Sequence, residues 1–215
     1  MPRPIRIDFV SDISCPWCII GLRGLEIALE RMGDAIEADI HFQPFELNPA
    51  MGPEGENIVE HIGRKYGATP EQSAATRATI RERAAAVGFT MAMGDTSRIY
   101  NSFDAHRLLH WAETMGRQAA LKHALFDSYF TRGEDISKHD VLIAAAAGAG
   151  LPEDEARTIL STDRYAAEVR EAERLWQGRG IQSVPAIIVD NRYLISGGQP
   201  PEAFEQALRQ IVAEA

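Results

Sequence analysis

Two cysteines, Cys15 and Cys18, are the residues whose type and spacing point most directly to chemistry. They are the only cysteines in 215 residues, and Pro16 and Trp17 separate them. A Cys-x-x-Cys pair at the start of a helix places its first thiol near unpaired backbone N–H groups, which stabilise the thiolate. The spacing therefore predicts that Cys15 is the nucleophile of a thiol–disulfide exchange and that Cys18 resolves the mixed disulfide.

A structural zinc site and a structural disulfide are the alternatives for this pair. Zinc in a structural site normally takes four Cys or His ligands, and the first histidine of the chain, His41, is distant in sequence. A disulfide that closes a loop of two intervening residues restrains the unfolded chain very little. Redox exchange is therefore favoured over both, and no metal site is predicted.

The cysteine pair lies between a predicted strand and a predicted helix. Residues 5–10 alternate apolar and polar side chains, which is the period of a strand. From Pro16 to Gly33 apolar residues recur at helical spacing. Residues 40–45 predict a second strand, so this part of the chain has the size of a βαβ unit. A Cys-x-x-Cys motif in such a unit indicates redox chemistry.

The middle of the chain, residues 57–177, is rich in Ala, Glu and Arg and predicts a block of helices. Ser102 is expected to cap one of them, with Met115 on its apolar face. Ser137 and Asp140 predict a capping box before another helix. Removing this block leaves a small sheet with a large helical insertion.

Strand signals return near the end of the chain. Residues 186–189 and 192–195 predict two strands joined by the turn Asp190-Asn191, and an amphipathic helix follows. Pro185 precedes the first of these strands, where no ladder donor is needed, which is typical of an ordinary strand-entry proline.

Two segments together carry a family resemblance: residues 11–18, with the sequence Ser-Asp-Ile-Ser-Cys-Pro-Trp-Cys, and Val184-Pro185. With both, the chain resembles the DsbA-like thioredoxin-fold oxidoreductases and is most similar to their FrnE-type subfamily. Further matching stretches are residues 45–49, 101–108, 125–130 and 196–200.

The resemblance implies an α/β thioredoxin fold, a central mixed sheet flanked by helices, with a large all-helical insertion domain. Residues 1–50 and 178–215 would form the two parts of the thioredoxin fold, and residues 51–177 the insertion. It also implies protein disulfide oxidoreductase or isomerase activity with protein or small-molecule thiols and disulfides as partners, and without a bound cofactor.

The resemblance also assigns a substrate-binding groove. Pro185 would be a cis proline beside the cysteines, and Val184 would offer backbone groups to an extended substrate. Pro16 and Trp17 would line the groove at the start of the helix. Asn101, Ser102 and His106 would approach it from the insertion.

Two departures from the periplasmic DsbA enzymes bear on function. Those enzymes carry a His between the cysteines, whereas Trp17 adds no positive charge, so a milder oxidant is expected. They also have a signal peptide, whereas the start of this chain has no apolar run of that kind. A cytoplasmic location is therefore predicted.

The kappa-class glutathione transferases and 2-hydroxychromene-2-carboxylate isomerases resemble the chain over the insertion. They bind glutathione at the equivalent helix start and generally have Ser at the first cysteine position. A glutathione-dependent transferase or isomerase is therefore the alternative function, with glutathione as co-substrate. The presence of both Cys15 and Cys18 favours disulfide exchange.

The composition narrows the range of partners. The 22 Lys and Arg against 31 Asp and Glu give a net charge of -9, which argues against nucleic acid and anionic membranes. No apolar stretch has the length of a membrane span. An exposed apolar groove could bind either substrate or a second copy of the chain, so a homodimer stays an alternative.

Weaker signals have ordinary structural interpretations. Asp8 and Asp12 precede Cys15; helix capping or solvation is favoured for them over proton transfer to Cys18. His106 and His110 have the spacing of a metal pair, but no third ligand is evident, so packing or surface placement is favoured.

Overall fold

The computed structural model describes residues 2–214. The strands are β1 (Arg3–Ser11), β2 (Ile36–Pro44), β3 (Glu56–Asn57), β4 (Arg98–Ile99), β5 (Ala186–Val189) and β6 (Tyr193–Ser196). The helices are α1 (Pro16–Met32), α2 (Ile58–Tyr66), α3 (Pro70–Ala86), α4 (Phe103–Thr114), α5 (Gln118–Phe126), α6 (His139–Gly148), α7 (Glu153–Leu160), α8 (Ala166–Gly178) and α9 (Pro201–Ala213). A π-helical turn, Asp127–Thr131, continues α5.

Four strands form the main sheet in the order β2-β1-β5-β6. β1 pairs in parallel with β2 and antiparallel with β5, and β5 pairs antiparallel with β6. The α1 crossover provides the parallel connection, and the turn after Val189 provides the hairpin. This mixed sheet with helices around it confirms the predicted α/β thioredoxin fold.

Side chains of the central strands alternate between two apolar layers, because successive residues of a strand point to opposite faces. Phe9 and Ile187 belong to the large core that includes α1 and α9. Val10 and Ile188 pack instead in a smaller cluster with Trp176 of α8. Both faces of the sheet are therefore covered, and β1 ends in a buried environment immediately before the cysteines.

Helix α1 forms where the sequence predicts it. Pro16 occupies its first turn, where the missing N–H costs nothing, and Gly33 ends it with a φ of 51°. Two glycines permit a close approach of the chain segment before α9. A Cβ on Gly24 would lie 2.8 Å from the Gln199 carbonyl oxygen, and one on Gly198 would lie 2.7 Å from the Trp17 carbonyl oxygen.

The helices between β2 and β5 do not form a separate core. Leu108 of α4, Phe126 of α5 and Leu22 of α1 are fully buried in one continuous cluster. The division at residues 50/51 and 177/178 stays a prediction. Continuous packing means that a side chain of the helical block can reach the region of α1.

Several local predictions are wrong. The second strand begins at Ile36, four residues before the predicted start, and the short β3–β4 pair, which the sequence did not predict, interrupts the predicted helical block. Met115 is exposed because α4 ends at Thr114. The Ser137–Asp140 capping box does not form, because the Ser137 hydroxyl donates to Asp135 instead.

Candidate active site

Cys15 lies at the N-terminal cap of α1, and Cys18 lies one turn into the helix. The Cys15 backbone N–H donates to the Asp12 carbonyl oxygen at 3.3 Å, and that of Cys18 donates to the Cys15 carbonyl oxygen at 3.1 Å. The first turn of α1 contains no acidic residue, so the Cys15 sulfur lies at the positive end of the helix dipole with no carboxylate from that turn beside it.

Both cysteines are present as free thiols, and both are buried. Burial raises the pKa of the Cys18 thiol well above its ordinary value, and a hydrogen bond with Cys15 raises it further. Cys18 is therefore held as a thiol and needs a proton acceptor before it can act as a nucleophile.

The segment before β5 lies against the cysteine pair. The Val184–Pro185 peptide bond is cis, and the Cys15 thiol donates to the Val184 carbonyl oxygen at 3.6 Å. Pro185 is buried against α1, since a Cβ on Gly21 would lie 3.1 Å from Pro185 Cγ. Val184, by contrast, is half-buried. The Val184 backbone therefore lies next to the Cys15 sulfur and close to the surface.

Pro16 and Trp17 are half-buried at the start of α1. Trp17 packs its ring against the main core, and its carbonyl oxygen lies close to Gly198. Trp17 therefore contributes partly exposed apolar surface beside the cysteines, where the sequence predicts the substrate groove.

Asp12 is buried and accepts several hydrogen bonds. The Ser14 hydroxyl donates to it at 2.8 Å and the Leu47 backbone N–H at 2.7 Å, and His106 Nε2 lies 3.6 Å from Asp12 Oδ1. Burial alone would raise the pKa of Asp12, but His106 and the other donors outweigh it and lower the pKa to about 2. The expectation of a capping or solvated Asp12 is wrong, because Asp12 is an ionised anchor inside the protein.

His106 faces the protein interior. Its Nε2 lies 3.2 Å from the Phe45 carbonyl oxygen, and it is also near the Asp12 carboxylate. Both neighbours are acceptors, so Nε2 carries a proton. His106 thus supports the loop before Cys15, and His110, one turn later, lies against the Tyr165 ring.

Asn101 is directed towards a different cluster. Its side-chain oxygen accepts from the Phe103 backbone N–H at 2.9 Å, whereas Ser102 is the N-cap residue of α4, as predicted, but its side chain makes no capping hydrogen bond. Its amide donates to Glu46 at 3.4 Å, and Glu46 also pairs with Arg170. The substrate-binding roles predicted for Asn101 and His106 stay predictions.

Sequence reasoning missed Lys122. This α5 residue is fully buried, with its Nζ 5.0 Å from the centre of the Phe126 ring and 5.8 Å from that of Phe42. Burial lowers the pKa of its amine to about 8, against the opposing influence of Cys18, Asp12 and Cys15. A signal was available, because Lys122 lies one turn before Phe126 on the apolar face of a helix.

The structure thus brings Cys15, Cys18, Val184 and Pro185 together and places Asp12 and Lys122 around them. Within residues 2–214 no three His, Cys, Asp or Glu side chains are grouped in a way that could hold a metal ion. In the same part of the chain, no helix has both the length and the apolarity to cross a membrane.

Comparison with known proteins shows which family model and which solved structures this chain matches. The family model described as a DSBA-like thioredoxin domain matches residues 6–209. The crystal structure of a probable DsbA oxidoreductase from Streptomyces coelicolor is 34% identical, with a TM-score of 0.91. That match covers 98% of this chain and 91% of the other.

Two more distant structures share the fold. The cytosolic disulfide reductase DsbM from Pseudomonas aeruginosa, solved with GSH, has a TM-score of 0.66 at 20% identity and covers 97% of this chain and 99% of its own. A 2-hydroxychromene-2-carboxylate isomerase has a TM-score of 0.71 at 14% identity and covers 97% of each chain. Both types of relative expected from the sequence are thus similar in fold.

Proposed function

Because this chain belongs to the DsbA-like thioredoxin domain family, we propose that it is a thiol–disulfide oxidoreductase that works through Cys15 and Cys18. One observation carries the proposal. Cys15 lies at the N-terminus of α1, whose first turn has no acidic residue, and contacts the Val184 carbonyl oxygen. Cys18 lies one turn further into the helix and has no exposed surface. This arrangement gives the two thiols different roles.

The exchange takes place in two steps. The Cys15 thiolate attacks one sulfur of a substrate disulfide, forming a mixed disulfide, and the other substrate sulfur leaves as a thiolate that takes up a proton. Cys18 then loses its proton and attacks the Cys15 sulfur, and the second substrate sulfur leaves in the same way. Two electrons pass from the cysteine pair to the substrate, and the reverse sequence oxidises a dithiol.

The substrate is held beside Val184. Its half-buried backbone can pair with an extended peptide, which places a substrate disulfide next to the Cys15 sulfur. Trp17 provides apolar contact at the edge of this position. Protein disulfides and small-molecule disulfides can both be placed next to the Cys15 sulfur in this way.

We further propose a mild couple in a cytoplasmic setting. DsbA is a strong oxidant because its reduced form is stabilised. Here neither residue between the cysteines carries a charge, and Cys18 is held as a neutral thiol. The cytosolic disulfide reductase DsbM has the same fold, which is consistent with this proposal.

Cysteine substitutions test the exchange, and the two variants serve as each other's control. In Cys18→Ser, a reaction with glutathione disulfide should stop at a mixed disulfide on Cys15, visible as a mass increase of one glutathione. In Cys15→Ser, neither the adduct nor disulfide reduction should be detected. Full reductase activity in Cys15→Ser would rule the proposal out.

A glutathione-dependent transferase or isomerase is the second candidate, favoured by the shared fold with 2-hydroxychromene-2-carboxylate isomerase. This function requires a saturable glutathione site and no resolving thiol. Conjugation or isomerisation that persists in Cys18→Ser would support it. Loss of all turnover in that variant would instead support disulfide exchange.

A further inference from the structure

Lys122 carries an amine into the apolar core that also contains Cys15 and Cys18. Its side chain has no exposed surface, and its Nζ has no hydrogen-bond partner among residues 2–214. The rings of Phe126 and Phe42 lie 5.0 Å and 5.8 Å from this nitrogen. A lysine that only covered apolar surface with its methylene groups would keep its ammonium in water, and Lys122 does not.

This placement is costly for a structural residue. A buried charge without a paired acceptor destabilises the fold, and an apolar side chain of similar size would fill the same space. The aromatic rings compensate only partly, since the attraction of a cation to a ring face is weaker than the cost of removing an unpaired ammonium from water. The cost points to a function that an apolar residue could not perform.

The charged and titratable groups around Lys122 indicate what that function is. The charged or titratable groups that act on its amine are Cys18, Asp12 and Cys15. Asp12 already accepts hydrogen bonds from Ser14 and the Leu47 backbone, and its pKa of about 2 makes it too weak a base to hold a proton at neutral pH.

Other polar groups around the thiols are also engaged. The hydroxyl of Tyr129, which follows α5, donates to the Arg98 carbonyl oxygen at 3.0 Å. The His106 Nε2 already carries a proton and faces two acceptors. Among the described groups, only Lys122 combines full burial, a nitrogen without a hydrogen-bond partner and an electrostatic influence on the pKa of Cys18.

We propose that Lys122 is the proton-exchange partner of Cys18. The inference rests on the proposed thiol–disulfide exchange. As Cys18 attacks the mixed disulfide, its proton passes to Lys122 in its uncharged form, which is the minor form at pH 7, so a thiol and an amine become a thiolate and an ammonium. The thiolate forms the bond to the Cys15 sulfur, and the substrate sulfur leaves with the electron pair. When the Cys15–Cys18 disulfide is reduced, the ammonium returns the proton to Cys18.

The two steps can be separated with 5,5′-dithiobis(2-nitrobenzoate). Attack by Cys15 releases one coloured thiolate, and resolution by Cys18 releases a second. In Lys122→Met the second phase should be at least about 10-fold slower at pH 7, which is the lower end of what a positioned proton acceptor contributes. The first phase should change little. The exposed Lys138→Met variant provides the same chemical change away from the thiols and should behave as wild type.

The pH profile separates proton exchange from a packing defect. In wild type the second phase should level off as the pH passes about 8, where the Lys122 amine loses its proton. In Lys122→Met it should continue to rise with pH. An unchanged second-phase rate and profile in Lys122→Met would overturn the inference while leaving the proposed function intact. Release of only one thiolate by wild type would overturn both.

A measurement on the wild-type protein covers the case in which the variant does not fold. Lysine labelled with ¹³C at Cε gives separate signals for Lys65, Lys122 and Lys138. The Lys122 signal should titrate at a different pH in the dithiol and disulfide forms, whereas that of Lys138 should not change. Identical titration of Lys122 in both forms would exclude its coupling to Cys18.

Discussion

Asp12 Oδ1 and His106 Nε2 lie 3.6 Å apart, and both side chains are buried. This contact connects the loop before Cys15 to helix α4, more than 90 residues later in the chain. The same carboxylate accepts from the Leu47 backbone N–H just beyond β2. Asp12 thus fixes the loop before Cys15 against two separate parts of the fold.

The first prediction concerns acid stability. The pKa of Asp12 is lowered from 3.8 to about 2 in the folded protein, so its stabilising contribution is complete above about pH 4 and is lost as the pH falls towards 2. Asp12→Asn should therefore unfold with about 2 kcal/mol less stability at pH 7. The difference from wild type should shrink between pH 4 and pH 2 in urea denaturation.

The exposed Asp34→Asn variant is the matched control and should unfold like wild type. A constant difference between wild type and Asp12→Asn across this pH range would contradict the ionised state of Asp12.

The second prediction concerns the contact between Gly198 and α1. A Cβ on Gly198 would lie 2.7 Å from the Trp17 carbonyl oxygen, so Gly198→Ala forces the loop away from the start of the helix. We expect a loss of about 1–3 kcal/mol in the free energy of unfolding. We also expect slower disulfide exchange, because Trp17 lies between the cysteines.

Gly148→Ala provides the control. No atom lies within 4 Å of the position of its Cβ, and Gly148 is in α6. This substitution should be neutral or stabilising, by up to about 1 kcal/mol, because Ala favours the helix. Equal effects of the two substitutions would show that Gly198 is not needed for the close approach.

The third prediction concerns the residue between the cysteines. Trp17→His places an ionisable imidazole beside Cys15. Because a positive charge on this ring stabilises the Cys15 thiolate, it stabilises the reduced, dithiol form of the protein. The reduction potential should rise by about 30 mV, corresponding to about 1.4 kcal/mol. Equilibration with glutathione buffers, followed by alkylation of free thiols, measures this change. Trp17→Phe, which keeps an aromatic ring without the charge, should leave the potential near that of wild type. A rise of similar size in Trp17→Phe would attribute the effect to lost packing.

The parts of the site that depend on residues adjacent in the sequence could be predicted from the sequence. The period of the apolar residues changes from two to 3.6 near Pro16, and this change locates Cys15 and Cys18 at the strand-to-helix junction. The hairpin turn at Asp190 is marked equally locally, and Asp190 has a positive φ of 51°.

The roles of Asp12 and Lys122 could not be predicted in this way. Asp12 is held by His106, and Lys122 is buried against rings of the core that contains Cys18, so each role depends on elements about 100 residues apart in the chain. Periodicity identifies the face of a helix that is buried, but it does not identify what lies opposite. For that reason, the buried partners of Asp12 and Lys122 can be identified only from the folded structure.

The last prediction concerns the stability cost of Lys122. Its amine has a pKa of about 8 in the folded protein against 10.5 ordinarily, so the folded state disfavours the charged form. Below pH 8 the full penalty applies, and stability is regained as the pH rises from about 8 towards 10.5. Lys122→Met, which fills the same space without a charge, should therefore be more stable than wild type by about 3 kcal/mol at pH 7.

Urea denaturation of the reduced proteins at several pH values measures this difference, which should narrow above pH 8. Lys138→Met is the control and should not alter stability, because Lys138 is exposed. A Lys122→Met protein less stable than wild type at pH 7 would show that the ammonium stabilises the fold. A more stable variant that resolves mixed disulfides slowly would show that Lys122 lowers the stability of the fold and speeds the reaction of Cys18.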